Sequence, residues 1–149
     1  MVRYRRARLS KGDNEMAYQR LTANTPLALA GLRIVSGLLF LEHGTQKFLS
    51  FPAGERAGHG WDLSQPGSWA GVIELVTGLL LVLGLLTRPA AFLASGTMAF
   101  AYFMVFARKD FWPANNGGDA AILFCFVFLF LVFAGPGALS LDGRLGRRR

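Results

Sequence analysis

The sequence predicts an all-α membrane protein whose four apolar helices cross the bilayer as a bundle. Its 149 residues allow one domain and leave little room for a second. Hydrophobic residues make up 52% of the chain and charged residues 17%, which is little charge for a water-soluble domain. The apolar residues also fall into four blocks, each close to the length of about 20 helical residues that crosses a hydrocarbon core. We therefore expect a membrane-spanning four-helix bundle.

Basic residues mark both ends of the chain. A basic tail occupies 1–25, the apolar domain occupies 26–142, and a second basic tail occupies 143–149. The formal net charge is +7, but the cations gather beside membrane segments, where they fix topology and meet anionic lipid head groups. This distribution favours the lipid bilayer as the partner of the tails and argues against nucleic acid.

Each predicted span is bounded by residues that begin or end helices. Pro26 suits the first turn of a helix, since the N–H that it lacks has no partner there. Ser68 and Asp119 are suited to cap the second and fourth spans, and Gly135-Pro136-Gly137 ends the fourth. Thr87-Arg88-Pro89 is a tight connection, which makes the second and third spans antiparallel neighbours. The predicted spans are 27–49, 69–86, 90–107 and 120–134.

The Lys and Arg residues predict which way the bundle faces. With four spans, both tails and the short turn at Arg88 lie on one side, and together they carry eleven cations. The loops at 50–67 and 108–118 lie on the other side and carry three. Because positive residues are retained on the cytoplasmic side, we expect both termini in the cytoplasm and a multi-pass protein of the bacterial inner membrane.

Polar residues inside the predicted spans are expected to face the bundle interior, because a charge against lipid is costly. One stripe of the first span carries Arg33 and Lys47 with small residues between them, and Glu74 is flanked by small residues on the second span. Small residues let another helix approach closely. They are Gly37, Gly44, Gly71 and Gly78.

The depths of the polar residues predict a pocket that opens outward. At a rise of about 1.5 Å per residue, His43 lies about 9 Å from the outer end of the first span, and Glu74 lies about 8 Å from the outer end of the second. Lys47, Asn116 and Asp119 lie nearer the outer mouth. The candidate ligand-binding or proton-relay residues are therefore His43, Lys47, Glu74, Asn116 and Asp119.

Each polar residue also has a purely structural interpretation. Glu74 would neutralise Lys47 and lock two helices together, as an alternative to serving a ligand or a proton. His43 would donate to a backbone carbonyl. Arg33, an intramembrane charge with no carboxylate at its level, would extend to the cytoplasmic head groups. The two remaining residues would act as a helix cap and a turn residue, Asp119 and Asn116.

Four groups of short segments follow one another in the order and spacing of a known family. They are Arg33-Ile-Val-Ser-Gly-Leu-Leu-Phe with His43-Gly44-x-x-Lys47-Phe48; Glu74-x-x-x-Gly78 with Gly84-Leu-Leu-Thr-Arg88-Pro-Ala-Ala; Asn116-Gly-Gly-Asp119-Ala-Ala; and Gly135-Pro-Gly-Ala-Leu-Ser-Leu-Asp142. From about Leu27 to Asp142, the chain resembles the DoxX family of bacterial four-helix membrane proteins. One departure is Asp119, where Glu is more usual, which keeps the charge but shortens its reach.

The resemblance implies a redox-associated membrane subunit that interacts with membrane quinone or with a thiol and oxidative-stress system. The family includes a subunit of a thiosulfate:quinone oxidoreductase. On this hypothesis His43 or Lys47 hydrogen-bonds a quinone carbonyl, and Glu74 relays a proton. The sequence carries no flavin or nicotinamide fingerprint, and its single cysteine, Cys125, allows neither a CxxC pair nor a zinc set. Electrons would therefore have to come from a partner.

Two other function classes stay open. A non-catalytic anchor would hold a soluble redox enzyme through the basic tails, at Arg3–Arg8 and Arg147–Arg149. A small-molecule transporter is less favoured by four short helices without broken-helix repeats, unless the protein forms homo-oligomers through its glycine stripes. Cutting the tails would disable an anchor, whereas Glu74→Gln would cost a quinone protein its ligand.

Overall fold

The computed structural model describes residues 11–54, 64 and 66–146, and this part of the chain is helical and contains no strand. The all-α prediction is therefore confirmed. The helices are α1 (Lys11–Ala23), α2 (Thr25–Leu49), α3 (Pro66–Leu83), α4 (Thr87–Ala101), α5 (Pro113–Asn116), α6 (Asp119–Ala134) and α7 (Leu141–Gly146), and a π-helical segment, Tyr102–Phe106, continues α4.

The predicted bounds are correct for the first span and displaced for the second. Pro26 lies in the first turn of α2, as expected. Ser68 is not a cap, since α3 begins at Pro66 and Ser68 lies buried inside it. The helix also ends three residues early, at Leu83, because Gly84 adopts a φ of +64° that a continuing helix does not allow. The tight connection is therefore 84–86 rather than 87–89.

The four longer helices pack in chain order, with α2 against α3, α3 against α4, and α4 against α6, whereas the backbones of α2 and α6 lie farther apart and meet through aromatic side chains. The glycine stripes let α2 and α3 meet backbone to backbone. A Cβ on Gly44 would lie 2.8 Å from the amide nitrogen of Leu75, and a Cβ on Gly78 would lie 2.7 Å from that of Leu41. The predicted close approach of the first two spans is confirmed.

The outer surface of these helices is apolar. Phe126 and Phe133 on α6 expose 64% and 74% of their area, and large aliphatic residues of α2, α3 and α4 are likewise exposed. Such a continuous apolar surface is suited to lipid and not to water. In the described residues, Thr25–Leu49 and Thr87–Phe106 are long and apolar enough to cross a membrane, while Gly67–Leu83 and Asp119–Ala134 are apolar but shorter.

Arg33 is fully buried at one end of the packed helices, which corrects the expectation that it extends to lipid head groups. Its guanidinium donates to the carbonyls of Leu81 and Val82 (3.0 Å to the second) in the last turn of α3. The last four carbonyls of a helix have no partner within the helix, and the C-terminus carries partial negative charge, so a cation is stabilised there. The carbonyls at the C-terminal end of α3 are therefore hydrogen-bonded by a side chain of the protein itself.

Arg33 also holds the chain that follows α6. It donates to the carbonyls of three residues in the segment Gly135–Asp142: Pro136 (2.8 Å), Ala138 (3.3 Å) and Leu139 (3.0 Å). The same segment bonds the start of α2, where the amide of Ala138 donates to the carbonyl of Pro26 over 2.9 Å. We call this end of the helices the latch end. It consists of Arg33, residues 84–88 and the segment Gly135–Asp142.

Asp142 completes the latch end. Its two carboxylate oxygens accept hydrogen bonds from the amides of Leu86 and Thr87, each over 2.9 Å, at the start of α4. Burial by itself would raise the pKa of Asp142, but these hydrogen bonds and the positive charge of Arg33 outweigh it, so the pKa lies below its ordinary value. Arg33 therefore does have a carboxylate near it, contrary to the sequence-based expectation.

Candidate functional site

The opposite end of the helices holds a cavity of about 400 Å³, and we call it the cavity end. Side chains from α2, α3, α4, the π-helical segment and α6 all line it, so the cavity lies among all four longer helices. Its described lining consists of His43, Lys47, Gly67, Ala70, Glu74, Met98, Ala101, Val105, Phe106, Lys109, Gly117, Ala120, Ala121 and Phe124. The walls are mostly apolar, with a few polar groups directed inward, as small-molecule sites usually are.

Lys47 and Glu74 form an ion pair in this cavity. The Nζ atom of Lys47 lies 2.7 Å from each carboxylate oxygen of Glu74. The Glu74 side chain is 5% exposed and the Lys47 side chain 24%, so the cation faces the open side and the anion lies deeper. The pair joins α2 to α3, which supports the structural interpretation of Glu74. It also borders open space, which leaves the ligand-binding interpretation in place.

His43 lies beside an aromatic wall. Its ring stands edge-on to Phe124, with the ring centroids 6.2 Å apart. Phe124 stacks on Phe128 at 5.6 Å, and both rings contact Phe40. Phe40 and Phe128 are fully buried, so they fix the ring of Phe124 in place beside His43. His43 therefore borders the cavity with a polar ring against a rigid apolar surface.

Lys109 and Phe106 belong to the cavity although the sequence did not indicate them. The π-helical segment Tyr102–Phe106 carries the chain from α4 to these two residues, and the Nζ of Lys109 lies 5.6 Å from the centroid of the Phe106 ring. π-Helical turns are frequent at functional sites. The closeness of Lys109 to the end of the third span was a usable signal, but the π-helical segment that precedes it has no sequence signature.

Asn116 and Asp119 do not line the described cavity, so the five-residue convergence holds for three residues only. Asn116 is buried in its own turn, where its side chain donates to the carbonyl of Asp110 (2.9 Å) and accepts from the amide of Gly118 (2.7 Å). Asp119 is exposed at the first residue of α6, and Gly118 takes the capping position. The interpretation of Asn116 as a turn residue is therefore confirmed, whereas Asp119 is not the cap of α6.

The charged groups of the cavity are compatible with an uncharged or weakly anionic ligand. Lys47 and Glu74 compensate each other, and Lys109 adds a cation near the mouth. Together with His43 they offer several hydrogen-bond donors to a ligand that carries acceptors. Within the described residues, no three His, Cys, Asp or Glu side chains are placed to hold a metal ion.

Comparison with known proteins places the chain in a family. The sequence profile of the DoxX family matches residues 28–107, which is more than half of the chain. The chain belongs to the DoxX family. The profile match covers α2, α3, α4 and the π-helical segment, and therefore includes the Lys47–Glu74 pair but not α6.

The similar proteins extend the likeness beyond the profile match. A protein of Haemophilus influenzae, named only as uncharacterized, is 44% identical over 126 residues, which cover 83% of this chain and 94% of the relative. An uncharacterized membrane protein of Mycobacterium tuberculosis is 32% identical over 143 residues, which cover 86% of this chain and 87% of the relative. No solved structure matches the chain. This DoxX-family chain is therefore a membrane protein, and the names of the two relatives state no activity.

The basic tails, on which the anchor hypothesis depends, lie largely outside the described residues. Residues 1–10 and 147–149 are among those not described, as is Arg56 in the loop at 50–67. The anchor hypothesis therefore stays a prediction from sequence.

Proposed function

We propose that this DoxX-family protein is a multi-pass protein of the bacterial inner membrane whose cavity binds the head group of a membrane quinone, as a redox-associated subunit. The observation that carries the proposal is the Lys47–Glu74 ion pair, buried at the side of an apolar and aromatic cavity among four helices. A charged pair at such a depth is costly and marks a functional site more often than an exposed pair does.

The multi-pass topology is supported by the packing of the two shorter apolar helices. α3 and α6 have 18 and 16 residues, or roughly 24–27 Å at the rise of an α-helix, which is slightly less than a hydrocarbon core of about 30 Å. Each packs along one of the two longer helices, and their free faces are apolar. With four spans, the excess of Lys and Arg on the tail side directs both termini to the cytoplasm. The cavity end then faces outward.

Quinone binding is supported by the match between the cavity and the chemistry of a quinone head. A quinone ring is flat and apolar, and its two carbonyl oxygens accept hydrogen bonds. The rings of Phe106 and Phe124 supply the apolar walls, and His43, Lys47 and Lys109 supply donors. Glu74 holds the ammonium of Lys47 in place and can take up or release a proton beside the ligand. The chain contributes binding and proton handling, while electrons come from a partner protein.

The test is binding of a dimethoxy-methyl-benzoquinone without a tail to the purified protein in lipid nanodiscs, measured by isothermal titration calorimetry. We expect His43→Ala to weaken binding by about tenfold, because it removes a hydrogen bond to the ligand worth about 1.4 kcal/mol. Glu74→Gln should weaken binding by a similar factor, because the ammonium of Lys47 is then no longer held by a carboxylate. Asp119→Asn is the matched control, since Asp119 is exposed and outside the cavity lining. It should bind as the wild type does.

Two outcomes contradict the proposal. The first is a wild-type protein that binds no quinone although it is folded by its thermal unfolding profile. The second is binding that Glu74→Gln and His43→Ala leave intact, which would place the quinone elsewhere. Retention of a soluble enzyme that is lost when residues 1–10 are removed would instead support the anchor hypothesis.

A further inference from the structure

A second space adjoins the cavity on the lipid-facing side, between α2 and α6. This groove measures about 270 Å³ and is lined almost entirely by apolar side chains. It lies where the backbones of α2 and α6 stay apart and the two helices meet through the rings of Phe40, Phe124 and Phe128. Besides the residues that it shares with the cavity, it is lined by Leu32, Val35, Ser36, Leu39, Leu123 and Val127.

Ala120 and Phe124 line both the groove and the cavity. These two side chains therefore lie at the boundary between the two spaces. The ring of Phe124 contacts His43 on the cavity side, so the polar end of the site and the apolar groove meet at a single side chain. A molecule with a polar head and an apolar tail could place each part in the space of matching polarity.

The direction of the groove also suits such a molecule. Ala120 lies in the first turn of α6, at the cavity end, and Val127 lies about 10 Å further along the helix. Leu32 on α2 lies nearer the latch end than His43 does. The groove thus runs from the head-group level toward the middle of the helices, which is the path that an acyl or isoprenoid chain takes from an interface into a bilayer.

We infer that the groove between α2 and α6 is the site of the apolar tail of the ligand whose head occupies the cavity. The inference rests on the proposed function and specifies it, since it assigns a lipid-embedded, long-tailed quinone as the ligand class. The head then lies on the cavity side of Ala120 and Phe124, and the tail passes the methyl group of Ala120 into the groove. The tail stays in contact with lipid throughout.

A larger groove between α3 and α4, of about 610 Å³, provides the natural comparison. It shares only Ala70 with the cavity and lies on helices that pack against each other and are joined by the short turn at 84–86. Gly96 on its floor has open space where a Cβ would stand. This second groove can therefore be filled by mutation without touching the residues of the cavity.

The first experiment maps the tail directly. A dimethoxy-methyl-benzoquinone with a decyl tail that ends in a diazirine is bound to the wild-type protein in nanodiscs and photoactivated, and the labelled peptides are identified by mass spectrometry. We expect label on the facing sides of α2 and α6, around Leu39 and Val127, and we expect excess tail-less quinone to suppress it. Label on the α3–α4 groove that excess tail-less quinone suppresses would overturn the inference. Uniform labelling of all lipid-facing helices would also overturn it.

The second experiment closes one groove at a time. Val127→Trp fills the α2–α6 groove and Gly96→Leu fills the α3–α4 groove. We expect Val127→Trp to weaken binding of the decyl quinone by about tenfold, as overpacking of that size does, and to leave tail-less quinone within about twofold of the wild type. Gly96→Leu should change neither. Equal affinity of Val127→Trp and wild type for the decyl quinone would contradict the tail site.

The outcomes separate the tail site from the proposed function. If the tail-less quinone fails to bind the folded wild-type protein, the proposed function itself is wrong and the tail site is lost with it. If the tail-less quinone binds but neither photolabel nor Val127→Trp points to the α2–α6 groove, only the tail site is wrong.

Discussion

The two ends of the packed helices both bury charge, but they use it differently. At the latch end, the guanidinium of Arg33 bonds the carbonyls of five residues, and the carboxylate of Asp142 bonds two amides. At the cavity end, Lys47 and Glu74 bond each other beside open space. The free-energy cost of burying a charge is thus offset by hydrogen bonds to backbone groups at the latch end and by an oppositely charged side chain at the cavity end.

The difference separates structural charge from candidate functional charge. A charge whose partners are the ends of helices cannot be removed without leaving those helix ends unsatisfied in an apolar setting. Removal of a side-chain ion pair leaves no backbone group unsatisfied, because both partners can be replaced together by apolar residues. We therefore expect substitutions at the latch end to affect folding and substitutions at the cavity end to affect binding.

The largest effect is expected for Arg33→Met, which keeps much of the side-chain volume and removes the donors. The carbonyls of Val82, Pro136 and Leu139 would then lose the donor that they have in the apolar setting, so the free energy of unfolding should fall by about 3 kcal/mol. Thermal unfolding in detergent, followed by size-exclusion chromatography, measures this. Arg88→Ala is the control: Arg88 is exposed and, within the described residues, bonds the carbonyls of Val132 and Phe133 at the end of α6, so its loss should be smaller.

The next largest loss of stability is expected for Gly78→Ala, at the contact between α2 and α3 that lies between the latch end and the cavity end. The new Cβ would lie 2.7 Å from the backbone nitrogen of Leu41 and 2.9 Å from its Cα, so the helices must separate. Overpacking of this kind costs about 1–3 kcal/mol. Gly31→Ala, in α2 and with open space around its Cβ, should be neutral or slightly stabilising. Equal unfolding midpoints for the two variants would show that the close approach does not limit stability.

A smaller effect is expected for Asp142→Ala, and it should depend on pH. The pKa of Asp142 is lower in the folded protein than in the unfolded chain, so its contribution is complete above the unfolded value of about 4 and is lost as the pH falls through the folded value. Near neutral pH the variant should lose about 1 kcal/mol, as other helix caps do. The difference in unfolding midpoint between wild type and variant should narrow below about pH 4. A difference that stays constant down to pH 3 would contradict this role.

The smallest effect on stability is expected at the cavity end. Replacing Lys47 by Met and Glu74 by Leu in one protein removes both charges together, so the unfolding midpoint should stay the same or rise. Quinone binding should be lost in the same protein, which would complete the contrast with Arg33. Lys47→Met alone should be destabilising, because it leaves the carboxylate of Glu74 without its cation. A double variant that unfolds as readily as Arg33→Met would show that the pair is part of the fold rather than of a binding site.

The sequence by itself determined the helical class, the bounds of α2 and α6 to within about two residues, and the meeting of α2 with α3. Apolar blocks of membrane length dictate helices, because backbone groups in lipid must be satisfied within the segment. Glycines at helical spacing beside Lys47 and Glu74 then indicate one shared face, because the period of a helix is fixed. These are properties of neighbouring residues along one chain, and they can be read without knowing the rest of the fold.

Only the tertiary structure decided what the charges do. The partners of Arg33 are backbone carbonyls, some of them more than 100 residues away, and any residue type supplies a carbonyl. Lys109 lies at the mouth of the cavity, after a π-helical turn. The groove beside Phe124 lies where the backbones of two helices stay apart and aromatic rings join them. Each outcome depends on distant backbone positions, which residue identity does not encode.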